Sequence, residues 1–138
     1  MTKSKKIIID TNLWISHLIS GSLISLDGLI ISGKVRLVFS EELFTEFIEV
    51  VSRPKFRNYF SEKDIDNLQN LFDEYGEIIK VSTSINLCRD PKDDFLLNLC
   101  IDSKADYLIT GDNDLLAIKE IESCTILAYS DFIRKIHQ

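Results

Sequence analysis

Histidine and cysteine are scarce in this chain, and their spacing excludes more than their scarcity does. The three cysteines, Cys88, Cys100 and Cys124, offer neither CxxC spacing nor an even count. That argues against a zinc ribbon or a disulfide framework and favours a reduced, cytoplasmic setting. The two histidines, His17 and His137, have no evident Ser–His or Cys–His arrangement around them. His17, in a helical stretch beside Leu18 and Ile19, reads as structural, and Cys100 reads as core. A glycine-rich phosphate loop is also missing, which removes nucleotide triphosphate hydrolysis of the P-loop kind. No apolar run approaches the roughly 20 residues of a membrane span. The start, "MTKSKKIIID", lacks the apolar centre and small-residue cleavage site of a signal peptide. Without a repeat, a low-complexity tract or a linker, residues 1–138 read as one domain.

Excess positive charge is lacking as well. The formal net charge is −6, whereas a protein that holds phosphates by charge alone is expected to be basic. Tight, metal-independent duplex binding is therefore disfavoured. A nucleic-acid enzyme is not excluded, because clustered carboxylates become a cation site once metal is bound. The basic residues fall partly into two groups, Lys3, Lys5 and Lys6, then Arg53, Lys55 and Arg57. Each group reads first as solvated surface charge.

What the chain does contain is a soluble composition, 45% hydrophobic and 28% charged, with strand-length apolar runs alternating with helical patterns. Ile7 to Ile9 read as a first strand, followed by helix from about Leu13 to Ile31, interrupted near Gly21 and stopped at Gly33. Val35 to Phe39 make a second strand. Ser40 caps the next helix, with Glu41 and Glu42 in its first turn and Pro54 at its end. Ser61 and Asp64 form a capping box for a helix with Ile65, Leu68, Phe72 and Tyr75 on one face. Ile78, Ile79 and Val81 suggest a third strand. Asp90 and Pro91 open another helix. Strand Tyr107–Thr110, a short helix near Asn113–Lys119, strand Thr125–Ala128 and a helix from Ser130 complete the chain. This alternation implies an α/β fold with a mainly parallel sheet covered on both faces. Ligands bind such sheets beyond the carboxyl ends of the strands.

Acids sit at just those ends. Asp10 closes the run Ile7–Ile9, and Asp112 and Asp114 follow Tyr107–Thr110 in "YLITGDNDLL". A charge there is costly unless it is paired, hydrogen-bonded or neutralised by a metal. In "SEELFTEFIEVVSRP" the apolar arc runs through Leu43, Phe44, Phe47, Ile48, Val50 and Val51. Glu42 and Glu49 point away from it, and Glu46 lies at its edge, either facing inward or simply marking the boundary. In "DPKDDFLLNLCIDS" the stripe Asp94, Asn98, Asp102 reads as solvated. Asp93 instead shares its face with Leu96, Leu97 and Cys100, although it could also serve only as an N3 cap. Asp10, Glu46, Asp93 and Asp112 in one cleft would repel one another unless a cation intervened. An all-oxygen set suits Mg²⁺ or Mn²⁺ far better than zinc.

Four segments, "IIIDTNLWIS", "SEELFTEFIEVVSRPKF", "DPKDDFLLNLC" and "ADYLITGDNDLL", also resemble the PIN domain family. The likeness is to the prokaryotic branch regarded as toxins of toxin–antitoxin systems. It covers nearly the whole chain. The resemblance implies a three-layer α/β/α sandwich with a central, mainly parallel sheet. It further implies a Mg²⁺- or Mn²⁺-dependent ribonuclease whose acidic set falls on Asp10, Glu46, Asp93 and Asp112, with Asp114 as an accessory ligand. Asn12 and Thr110 match the polar positions that support the cluster. RNA would be the substrate, an antitoxin protein the partner, and a homodimer the assembly. Cys100 stands where a small alanine is usual, and Trp14 is bulky for its place. The runner-up is a PIN-fold module that binds RNA or protein with little or no turnover. A receiver or haloacid-dehalogenase-type phosphatase fits less well, because "DTN" lacks the second Asp of a DxD motif.

Overall fold

A computed structural model describes residues 4–20 and 24–137. The interruption expected near Gly21 lies outside the described residues. Strand β1 spans Lys5–Ile9 and leads into helix α1, Thr11–Ser20; α2 is Ile24–Ile31 and β2 is Val35–Ser40. Helix α3, Glu41–Val51, is followed by a 3₁₀ turn at Pro54–Phe56 and by α4, Glu62–Tyr75. Then come β3, Gly76–Ile79, α5, Pro91–Ser103, β4, Tyr107–Ile109, and α6, Asn113–Leu116. Strands β5, Glu120–Ile121, and β6, Cys124–Leu127, precede α7, Tyr129–Ile136. No helix among the described residues is long and apolar enough to cross a membrane.

Among the described residues one sheet of six strands carries the fold, in the order β3-β2-β1-β4-β6-β5. Every neighbouring pair is parallel except β5 with β6, which is antiparallel. Helices flank the sheet, so its central strands are apolar without alternation. Ile7, Ile8, Leu108 and Ile109 are fully buried, and Leu37 and Val38 nearly so. From β1 the chain builds outward to β2 and β3 on one side; after β4 it builds outward to β6 and β5 on the other. The junction of β1 and β4 is therefore a topological switch point, where the loops leaving two adjacent strands diverge and open a crevice. Ile9 pairs with Ile109, which brings Asp10 and Thr110 side by side at that crevice.

Local signals explain the element ends. Ser40 accepts from Leu43 N at 2.9 Å, and the Ser61–Asp64 capping box is present in both directions. Gly33, with φ +83°, closes α2 in the left-handed conformation that glycine tolerates. Phe72 lies at the centre of an aromatic group with Trp14, Phe39, Phe44 and Phe47.

Several boundaries differ from expectation. Helix α1 starts at Thr11 rather than Leu13, because Asp10 caps it: its carboxylate accepts from Asn12 N and its carbonyl from Trp14 N. Helix α3 stops at Val51, before Pro54, and Arg53 to Phe56 form a separate turn. Strand β3 begins at Gly76, directly on the end of α4, and Val81 falls outside it. A Cβ at Gly76 would lie 2.6 Å from the Phe72 carbonyl oxygen, so glycine alone permits that abrupt join. Strand β5, two residues long, carried no readable pattern.

The largest correction concerns α5. The stripe Asp94, Asn98, Asp102, read from the sequence as solvated, faces the extended segment 82–88 and holds it. Asp94 accepts from Leu87 N and Cys88 N, both at 2.8 Å, and Asn98 accepts from Ile85 N at 3.0 Å. Asp102 accepts from Ser82 N, Thr83 N and the Thr83 hydroxyl. The segment finds no sheet partner for these N–H groups, and side chains one helical turn apart supply the acceptors instead. Asp94 and Asn98 are accordingly buried. The carboxyls of Asp94 and Asp102 are held below the usual range, Asp94 chiefly by the Cys88 N–H and Asp102 chiefly by the Thr83 hydroxyl.

Candidate metal centre

At the switch point lies a cleft of about 550 Å³. Its lining includes Asp10 and Asn12 after β1, Glu46 on α3, Asp90 and Asp93 at the start of α5, and Asp112 after β4. All four acids singled out in the sequence thus line one cavity, drawn from four separate elements. The carboxylates of Asp93 and Asp112, together with that of Asp114, offer oxygens that lie within 4.8 Å of one another. Asp10 and Glu46 line the same cleft outside that triad.

Each acid is aimed by a local device. Asp10 Oδ1 accepts from Asn12 N at 3.2 Å and Oδ2 from the Thr110 hydroxyl at 2.9 Å. Thr110 is fully buried, and its oxygen also accepts from Asp112 N at 3.1 Å, so one hydroxyl joins the ends of β1 and β4. Asn12 supports Asp10 through its backbone N–H, while its exposed side chain lines the cleft. Asp112 is the N-cap of α6: Oδ1 accepts from Asp114 N at 2.8 Å and Leu115 N at 3.4 Å. Its cap role leaves Oδ2 without a hydrogen bond among the described residues.

The electrostatics are those of crowded, undercompensated acids. The Asp93 carboxyl is pushed up to about 6, first by burial and then by the negative charges of Asp112, Asp90, Asp10 and Asp114. Two cations of the chain relieve the crowding at its edges. Arg89 grips Asp114 with contacts of 2.9 and 3.0 Å, and the Lys92 ammonium lies 3.7 Å from Glu46. Cys88 neighbours this group, and burial, followed by its bond to Asp94, pushes its thiol up to about 11. It stays protonated at neutral pH and adds no thiolate to the donor set. The donors are then oxygen only, which fits a hard cation such as Mg²⁺ or Mn²⁺.

The sequence reading missed several residues here. Asp90 was taken only as a helix cap; it accepts from Lys92 N at 2.9 Å and also lines the cleft. Glu42, assigned to solvent, is exposed and lines the cleft as well. Helical phase could have raised Glu42, since it stands four residues before Glu46. Arg89 and Lys92 carried no signal, because their partners are distant in sequence. His17 is structural as expected: it is buried, stacks on Trp14 at 5.3 Å and lies 3.1 Å from Asp27.

Comparisons with known proteins agree with this architecture. An uncharacterized protein of Methanocaldococcus jannaschii, MJ1680, is 34% identical over 118 residues, covering 83% of this chain and 76% of its own length. Among solved structures, VapBC2 from Rickettsia felis, bound to a DNA fragment from their promoter, superposes with a TM-score of 0.58 at 14% identity. That match covers 88% of this chain and 96% of the other. The PIN domain endonuclease Utp24 gives a TM-score of 0.55 at 19% identity, over 89% of this chain and 84% of its own. At such identities the likeness is one of fold. The sequence pattern of the PIN domain family, however, matches residues 6–114, a span that holds every acid of the cleft. By that match, and by the parallel sheet that gathers those acids, the chain belongs to the PIN domain family.

Proposed function

We propose that the protein is a Mg²⁺- or Mn²⁺-dependent endoribonuclease that hydrolyses RNA phosphodiester bonds in the cytoplasm. In this reading it is the toxin of a toxin–antitoxin pair, restrained by an antitoxin protein and able to form a homodimer. The observation that carries the reading is the convergence of Asp10, Glu46, Asp93 and Asp112 on one cleft, with the Asp93 carboxyl raised to about 6 by its neighbours. The endonuclease Utp24 supports the hydrolytic part, and VapBC2 supports the partner.

Asp10, Glu46, Asp93 and Asp112 would hold the cation, and Asp114 would join them on leaving Arg89. When bound, such a cation neutralises the acids, lowers the pKa of water and stabilises charge on phosphate oxygens. The protein's own contribution is orientation. Thr110 fixes Asp10, the first turn of α6 fixes Asp112, and the start of α5 presents Asp93. Lys92 keeps the partly exposed Glu46 turned toward α5.

A second reading, a PIN-fold binding module without useful turnover, is favoured by one feature. Arg89 and Lys92 already neutralise Asp114 and Glu46 from within the chain. Incubation of generic single-stranded RNA with the protein and Mn²⁺ separates the two. Cleavage that chelation and Asp10→Asn both abolish is the expected result. RNA that is bound but left intact would give the second reading priority.

A further inference from the structure

The same cleft has a basic side that the acids do not explain. Arg53, Lys55 and Phe56 line it together with Glu46 and Val50. Glu46 and Val50, at i and i+4, share a face of α3, and the chain leaves that helix at Val51 into the turn that carries Arg53 and Lys55. From Glu46 to the end of the helix at Val51 is about 7 Å. Between Val50 and Ser61 the sequence holds Arg53, Lys55 and Arg57 and no Asp or Glu. In a chain of net charge −6 this segment carries a local excess of positive charge.

These cations are also differently engaged from those beside the acids. Lys92 and Arg89 are drawn onto Glu46 and Asp114. Among the described residues Arg53 pairs with Glu49 alone, at 3.9 Å between two well-exposed side chains, a contact that solvent weakens. Lys55 forms no ion pair among the described residues, and its ammonium lies 5.1 Å over the Phe56 ring. The ring, anchored against Phe60 at 6.3 Å, restricts where Lys55 can point.

We propose that Arg53 and Lys55 form the phosphate-holding wall on which a single-stranded RNA enters the acidic cleft, with Phe56 positioning Lys55. This assignment rests on the ribonuclease reading and adds the surface that takes the substrate. The planar guanidinium of Arg53 suits a phosphate's paired oxygens. Arg53 and Lys55 line the same cleft as Glu46, so a short stretch of flexible single strand reaches both. A continuous duplex is too stiff to follow the wall into a cavity of about 550 Å³.

The test is fluorescence anisotropy of an end-labelled oligouridylate, with Ca²⁺ replacing Mg²⁺ so that the strand is not cut. Arg53→Gln/Lys55→Gln is compared with Lys5→Gln/Lys34→Gln, which removes the same charge at the opposite edge of the sheet. The first pair should weaken binding on the order of tenfold and lower the slope of log K against log salt by about 1.4, two single-strand phosphate contacts. The second pair should do neither. Both variants should keep the wild-type melting response to Mn²⁺, which reports the acids and not the wall. Phe56→Leu should weaken binding less, without changing the salt slope. Equal losses from the two pairs would reduce the effect to net charge and overturn the proposal. Wild-type binding and cleavage of RNA with an unaffected Arg53→Gln/Lys55→Gln would overturn the wall and leave the ribonuclease standing. No RNA binding by the wild type would remove both. Preference for a polyglutamate peptide over RNA would make the wall a protein-docking surface instead.

Discussion

Removing the negative charge of Asp93 tests the crowding of the cleft most directly. A metal and a proton compete for the same carboxylate, so affinity follows the ionised fraction. With its carboxyl at about 6, Asp93 is roughly nine-tenths ionised at pH 7 and one-tenth ionised at pH 5, a loss of about tenfold in Mn²⁺ affinity. An ordinary aspartate, at about 3.9, would lose less than about a tenth of its affinity over that interval. The folding linkage has the matching sign. Because the folded value lies above the unfolded one, the group's contribution is fully present below about pH 4. It is lost as pH rises through about 6, so the metal-free protein is weakened at neutral pH. A shift of two units is at most about 3 kcal/mol, and solvent around the partly exposed Asp93 reduces this to about 1 kcal/mol. Asp93→Asn should therefore melt a few degrees higher than wild type at pH 7.5 without metal, and no higher at pH 4. Titration calorimetry with Mn²⁺ at pH 5, 6 and 7 reads the affinity; melting curves read the stability. The variant, and not the wild type alone, assigns the slope to Asp93. Wild-type affinity that is flat from pH 5 to 7, or a variant that keeps the slope, would refute the reasoning.

Adjacent aspartates should fail in different ways. Asp93→Asn should fold and lose on the order of a hundredfold or more in RNA cleavage. Asp94→Ala should lower the melting temperature and speed hydrogen exchange at Leu87 and Cys88, whose N–H groups it accepts. Matching profiles for the two would contradict their assigned places. Gly76→Ala should cost on the order of 1–3 kcal/mol in urea unfolding, because its Cβ meets a helix carbonyl that cannot move freely. A neutral result would mean that the α4–β3 join relaxes. Arg89→Ala should change stability by less than about 1 kcal/mol, since Arg89 is highly exposed, yet should tighten Mn²⁺ binding by freeing Asp114. Weaker Mn²⁺ binding in calorimetry would show instead that Arg89 holds Asp114 in a useful position.

The sequence alone determined what depends on neighbours along the chain. Unbroken apolar runs at Ile7–Ile9 and Tyr107–Ile109 require strands buried on both faces, and acids just beyond them require a crevice at the strand ends. Ser40, Ser61 with Asp64, Gly33 and Asp90 mark helix ends through bonds made within a few residues, so composition and spacing sufficed. Helical phase likewise turned Asp93 toward Leu96, Leu97 and Cys100. The same phase separated Asp94, Asn98 and Asp102 correctly from that face but misassigned what they meet. A stripe of acceptors looks identical whether it faces water or the unpaired N–H groups of Ser82 to Cys88, and only tertiary structure brings that segment alongside α5. The strand order is equally unreadable from the chain. Pairing β1 with β4 across about a hundred residues creates the switch point and joins Asp10 to Asp112 through Thr110, and the approach of α5 to α3 sets Lys92 beside Glu46. Periodicity records which face of an element is apolar; it carries no information about which element will cover that face.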